Sequence, residues 1–90
     1  MFGFGDKPQP AQDLIKDATE ATFLADVIEA SQTVPVIVDF WAPWCGPCKM
    51  FAPTFEAAAE KHPEIVFGKV DTEAQEELAG AAEIRAIPTL

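Results

Sequence analysis

The residues best suited to chemistry are the two cysteines of Cys45-Gly46-Pro47-Cys48. They follow an apolar, strand-like run and open a stretch with helical spacing, and each part of that placement has a chemical use. Three positions apart on a helical turn, the two sulfurs can close a disulfide without unfolding anything. At a helix N-terminus the unpaired backbone N–H groups and the macrodipole favour a negative sulfur. Since the thiolate is the attacking species, Cys45 is the expected nucleophile near neutral pH. Cys48, a turn further in and shielded, is the expected resolving thiol. Pro47 has no N–H to lose in the first turn and stiffens the segment between the sulfurs.

Other chemistries of a CxxC pair weigh against this. Zinc needs four ligands, and His62 is the only further histidine or cysteine. A zinc site bridging two chains, each giving its cysteine pair, stays open on that count. An inert structural disulfide is disfavoured by the helix-start position, the flanking Trp44 and the expected reducing compartment. Two cysteines are too few for the disulfide framework of a small secreted scaffold.

The elements that must position the pair follow from periodicity. Residues 1–12 carry Gly3, Gly5, Pro8 and Pro10 and read as a loose lead-in to a domain over 13–90. Leu14-Ile15-Lys16 reads as a short strand. Phe23, Leu24, Val27 and Ile28 predict an amphipathic helix from Thr22 to Ala30, with Thr19 and Thr22 both candidate caps. Val34 to Trp41, β-branched and aromatic with one carboxylate at Asp39, predicts a strand buried on both faces. A second helix is expected from about Cys45 to Lys61, with Met50, Phe51, Phe55 and Ala58 or Ala59 inward and Pro53 kinking its axis. Ile65 to Val70 predicts another strand. Thr72 with Gln75 fits a capping box opening a third helix through about Ala82, and Ile84 to Leu90 begins a further extended segment. Phe23, Phe40, Phe51, Phe55 and Phe67 are expected in the core. The alternation is that of an α/β domain with three layers.

Ninety residues make one domain, and 49% apolar with 23% charged residues suits a globular chain. The net charge of −9 repels phosphate backbones and anionic headgroups, so neither nucleic acid nor a membrane surface is an expected partner. An acidic balance also simply keeps a small domain soluble. The N-terminus lacks the basic and apolar regions of a signal peptide, and the longest apolar run is far too short to span a bilayer. A cytoplasmic protein is the expectation. There a cysteine pair is more often catalytic or metal-binding than structural.

Val38-Asp39-Phe40-Trp41-Ala42-Pro43-Trp44-Cys45-Gly46-Pro47-Cys48-Lys49 resembles the active-site stretch of the thioredoxin family nearly residue for residue. Phe51-Ala52-Pro53 is similar to the family's kinked helix, and Ile84-Arg85-Ala86-Ile87-Pro88-Thr89 to its cis-proline loop. Glu83 and Ala86 stand where many members carry glycine. The 51–55 and 71–74 segments lean toward the family's second bacterial branch, without the zinc-ribbon cysteines found in part of it. The resemblance implies a thioredoxin fold, α/β/α around a central mixed sheet, with the last two strands and closing helix of the family missing after Leu90. A fragment and a shortened chain are both open.

The same resemblance implies protein-disulfide reduction, with Cys45 and Cys48 catalytic, Asp39 relaying a proton to and from Cys48 through water, and Lys69 partnering Asp39. It implies substrate binding by Trp44, Gly46, Pro47, Ile87 and a cis Pro88, where an extended substrate strand would pair with the Ile87 backbone. Trp41 would pack beneath the site, and His62 is read as plain surface. No metal or bound cofactor is implied, since the Cys45–Cys48 disulfide is itself the redox group. The implied partners are disulfide-containing proteins and a thioredoxin reductase for recycling. Two alternatives stay beside this reading: a binding or co-chaperone module, and an inactive truncated fragment. With so little chain after Pro88, the sheet edge beside Trp41 is also expected to invite self-association.

Overall fold

The computed structural model describes residues 14–90; the lead-in expected over 1–12 lies outside them. Three parallel strands, β1 (Ile15–Asp17), β2 (Val36–Trp41) and β3 (Val66–Asp71), form a sheet in the order β1-β3-β2. Helix α1 winds as a π-helix over Leu24–Glu29 and tightens to a 3-10 turn over Ala30–Gln32. Helix α2 spans Gly46–Lys61 and α3 spans Glu76–Ala81. An isolated antiparallel bridge, Phe40 with Thr89, gives the sheet its mixed character.

Alternation along the strands sorts side chains onto two faces, and helices cover both. On one face Ile15, Phe67 and partly buried Ile37 meet Phe55 and Ala59 of α2. Phe55 packs edge-on against Phe67 with ring centroids 5.3 Å apart, and Phe51 lies against Phe55 at 5.8 Å. On the other face Phe40 and Val70 take up Phe23 and Val27 of the first helical segment, Leu78 of α3, and Ile84 and Ile87 beyond it. This is the expected three-layer α/β/α arrangement.

Several local expectations are corrected. Met50 is 82% exposed, because the inner stripe of α2 runs Phe51, Phe55, Ala59 at four-residue steps, and Met50 is a hundred degrees off it. Leu24 and Ile28 are likewise exposed, and only the i, i+4 pair Phe23 and Val27 reaches the core. Strand β2 begins at Val36, since Val34 still donates to Ala30 at the end of α1. Its first three residues are half-buried, not enclosed on both faces. The two candidate caps act together: the Thr19 N–H donates to Thr22 Oγ1 at 2.9 Å and the Thr22 N–H to Thr19 Oγ1 at 3.2 Å.

The capping box of Thr72 and Gln75 does not form. Thr72 donates its hydroxyl to the Trp41 carbonyl instead, and α3 starts only at Glu76. The Glu77 N–H at its N-terminus is met by Glu20 Oε2 at 3.1 Å, while Gln75 Oε1 accepts from the Glu20 N–H at 2.9 Å. A loop residue 57 positions upstream thus supplies the cap that the local sequence was expected to hold.

Candidate active site

The site lies at the C-terminal ends of β2 and β3, where ligands of open α/β sheets usually sit. Strand β2 ends at Trp41, buried Ala42 starts the turn, and Cys45 becomes the N-cap of α2 with extended backbone. Its Sγ accepts from the Cys48 N–H at 3.2 Å, so a sulfur does the work that a Ser or Asp oxygen does at other helix starts. Pro47 falls in the first turn, where its missing N–H costs nothing. The two sulfurs are joined as a disulfide with Cα atoms 5.2 Å apart.

Exposure does not separate the two sulfurs, contrary to expectation: Cys45 is 4% and Cys48 3% exposed. What separates them is what each faces. Cys45 Sγ lies 3.9 Å from the Ile87 carbonyl oxygen. Cys48 faces inward, onto a cavity of about 110 Å³ whose lining includes Asp39, Trp41, Glu56 and Lys69. That volume is well above the roughly 10–15 Å³ a water molecule needs.

Asp39 is 5% exposed, and its Oδ1 has no hydrogen-bond partner among the described residues. Burial pushes its carboxyl above the usual carboxylate range, and the positive charge of Lys69 only partly opposes this. Lys69 is the register partner of Asp39 across β2 and β3, which places both side chains on the α2 face. The Lys69 ammonium makes its ion pair elsewhere, 3.7 Å from Asp17 Oδ1, and lies 5.3 Å from the Trp41 ring centroid. Lys69 therefore acts on Asp39 through space, not by direct contact.

The segment after α3 closes the other side. The Ile87–Pro88 peptide is cis, and Thr89 exchanges two backbone hydrogen bonds with Phe40, at 2.8 and 3.2 Å. That bridge holds Ile87 against Ala42 and the cysteines. Gly46 and Pro47 are exposed beside the disulfide. Trp44 is 66% exposed and forms one wall of a groove of about 190 Å³ whose other walls include Thr72, Ile84 and Ile87. His62 caps the far end of α2, about 25 Å along the helix from Cys45, and cannot join the cysteines within one chain.

The thioredoxin family model matches residues 14–90. The chain belongs to the thioredoxin family. A provisionally named thioredoxin 2 of Streptomyces coelicolor is 67% identical over 55 residues, 61% of this chain and 41% of that relative. A bifunctional thioredoxin reductase/thioredoxin of Mycobacterium leprae is 43% identical over 75 residues, 82% of this chain and 16% of that protein. Among solved structures, spinach chloroplast thioredoxin f in its long form superposes with a TM-score of 0.76 at 30% identity, covering 87% of this chain and 67% of that one. The chain thus spans well under half the length of either sequence relative.

The structure brings Cys45, Cys48, Asp39, Trp44, Ile87 and Pro88 to one end of the sheet, with Lys69 on the cavity wall. Sequence reasoning missed two neighbours. Glu56 lines the cavity one turn beyond Ala52, and its helical spacing from Cys48 and Lys49 could have signalled that. Glu73 accepts from Trp44 Nε1 at 2.9 Å across 29 residues, and no local pattern marks it among fifteen acids.

Proposed function

We propose that this thioredoxin-family chain reduces protein disulfides by dithiol–disulfide exchange. The observation that carries the reading is the pairing of Cys45 and Cys48 on the first turn of α2, with Cys45 Sγ receiving a backbone N–H and Cys48 facing the cavity of Asp39.

In the reduced protein the Cys45 thiolate is favoured by the helix N-terminus. It attacks one sulfur of a substrate disulfide, so the substrate S–S bond breaks, a Cys45–substrate bond forms, and one substrate thiol leaves. The Cys48 thiol passes its proton toward the Asp39 carboxylate through water in the cavity, and its thiolate attacks Cys45 Sγ. The second substrate thiol departs, and two electrons have moved from the cysteine pair to the substrate. Burial suits Asp39 to this work, because it raises the carboxyl's affinity for the proton that Cys48 gives up. Lys69 tempers that shift. Trp44, Gly46, Pro47 and the cis Ile87–Pro88 loop form the substrate face, where an extended segment pairs with the Ile87 backbone.

Recycling needs a two-electron donor, for which a thioredoxin reductase is the proposed partner; the name of the Mycobacterium leprae relative joins the two activities in one chain. No described helix is long and apolar enough to cross a membrane, and the cytoplasm is the proposed compartment because thiols stay reduced there. Among the described residues β2 has only Thr89 on its outer edge, so a second copy adding there would appear in sedimentation as a concentration-dependent dimer.

Insulin reduction driven by dithiothreitol tests the activity. The chain is expected to accelerate precipitation of the insulin B chain, and Cys45→Ser to abolish that acceleration. A chain that binds unfolded protein but leaves insulin disulfides intact would instead be a holding module.

A further inference from the structure

The groove beside Cys45 has a wall that is held from outside the motif. Trp44 is 66% exposed, yet its indole is not free to turn, because Nε1 donates to Glu73 Oε2 at 2.9 Å. A carboxylate acceptor makes this a charge-assisted bond, stronger than a neutral one. Glu73 in turn sits on a fixed base. Its own N–H donates to Asp71 Oδ1 at 2.9 Å, as does the Ala74 N–H at 3.2 Å. Thr72, between them, is clamped to the end of β2: its N–H and its hydroxyl both donate to the Trp41 carbonyl, at 2.8 and 3.0 Å. The tight turn after β3 is therefore tied to the strand that delivers the cysteines, and Glu73 carries that rigidity out to the Trp44 ring.

We infer that Glu73 is a positioning residue for substrate recognition: it fixes the Trp44 ring as a preformed wall of the groove that receives the protein strand bearing the disulfide. The inference rests on the exchange reading above. Glu73 touches neither sulfur, so its contribution is to binding and not to the bond-breaking steps. A loose aromatic wall must be immobilised at each encounter, and ordering one side chain weakens binding about two- to tenfold.

The test is steady-state reduction of insulin by the full chain, with Glu73→Ala, Glu73→Gln and Trp44→Phe, and the indole N–H resonances read by ¹H–¹⁵N NMR. Glu73→Ala should raise KM about two- to tenfold with a smaller change in kcat, and should shift one indole resonance while leaving the other in place. Glu73→Gln keeps an acceptor oxygen and should restore much of KM. In the Trp44→Phe background, which lacks the donor, Glu73→Ala should add no further loss. The inference is overturned if KM stays at the wild-type value in Glu73→Ala, if Glu73→Gln fails to rescue, or if the two substitutions add. A wild-type chain that reduces neither insulin nor a small aromatic disulfide would defeat the exchange reading itself, a result separable from all of these.

Discussion

Two neighbouring parallel strands each hand the chain to a helix at the same end of the sheet, and they do it in opposite ways. From β2 the turn is short and self-sufficient: Cys45 caps α2 with its own sulfur, Pro47 fits the first turn, and sixteen residues of helix follow. From β3 the turn leads to a helix of six residues whose N-terminus is capped by Glu20, far upstream. At its other end α3 closes with Ile84 N–H donating to Ala79 and Glu83 N–H to Gly80, the pattern that favours glycine at the left-handed position. The chain has Glu83 there, with φ of 57°. The reactive pair sits on the junction that needs no help from afar. Trp44, on that same junction, is held as a groove wall by Glu73 from the other.

If that contrast is right, substitutions should act locally at the first junction and through distant contacts at the second. The largest effect is expected at Asp39. Asp39→Asn removes a buried carboxylate without a partner for Oδ1 and should stabilise the fold near neutral pH by about 1–3 kcal/mol, while slowing exchange. Because the folded-state carboxyl is raised above its unfolded value, the penalty in the wild-type chain is absent in acid, where both states are protonated. It grows as pH climbs past the ordinary carboxylate range and levels off above the raised value. Urea denaturation of both proteins across pH should show the gap closing in acid; a constant gap would mean that burial of the charge is not its cause.

The next effect is smaller. Glu20→Ala should cost about 1 kcal/mol by uncapping α3, and hydrogen exchange should speed at Glu76 and Glu77 while Gly46 to Phe51 keep their protection. Equal loosening of both helices would erase the distinction between the junctions. Smallest is Glu83→Gly, expected to stabilise by about 0.5 kcal/mol, the relief of a left-handed non-glycine less the entropy glycine adds to the unfolded chain. A loss of stability there would show that the Glu83 side chain holds something the backbone geometry does not reveal.

The same contrast explains how much was legible in the sequence. The strand into Trp41, the helix from Cys45 and the disulfide pair follow from short-range pattern, since their caps and periodicity lie within a few residues. The faces of α1 and α2 were read too wide, because apolar side chains such as Leu24, Ile28 and Met50 are free to face water when a narrower stripe already fills the core. The caps of α3, the Glu73 acceptor on Trp44 and the ion pair of Lys69 with Asp17 are contacts across the fold. No spacing rule along one segment encodes them. The resemblance to a family supplied the cis bond before Pro88, which residue types alone would have left trans.

The most direct test of the account is trapping the mixed disulfide. In Cys48→Ser the resolving thiol is gone, so reduced protein mixed with a disulfide-bonded substrate should accumulate a covalent adduct on Cys45, seen by non-reducing mass spectrometry and released by dithiothreitol. Cys45→Ser should trap little or nothing. An adduct that forms preferentially on Cys48 in the Cys45→Ser protein, with none on Cys45 when Cys48 is removed, would contradict the assignment of attack to the sulfur at the head of α2.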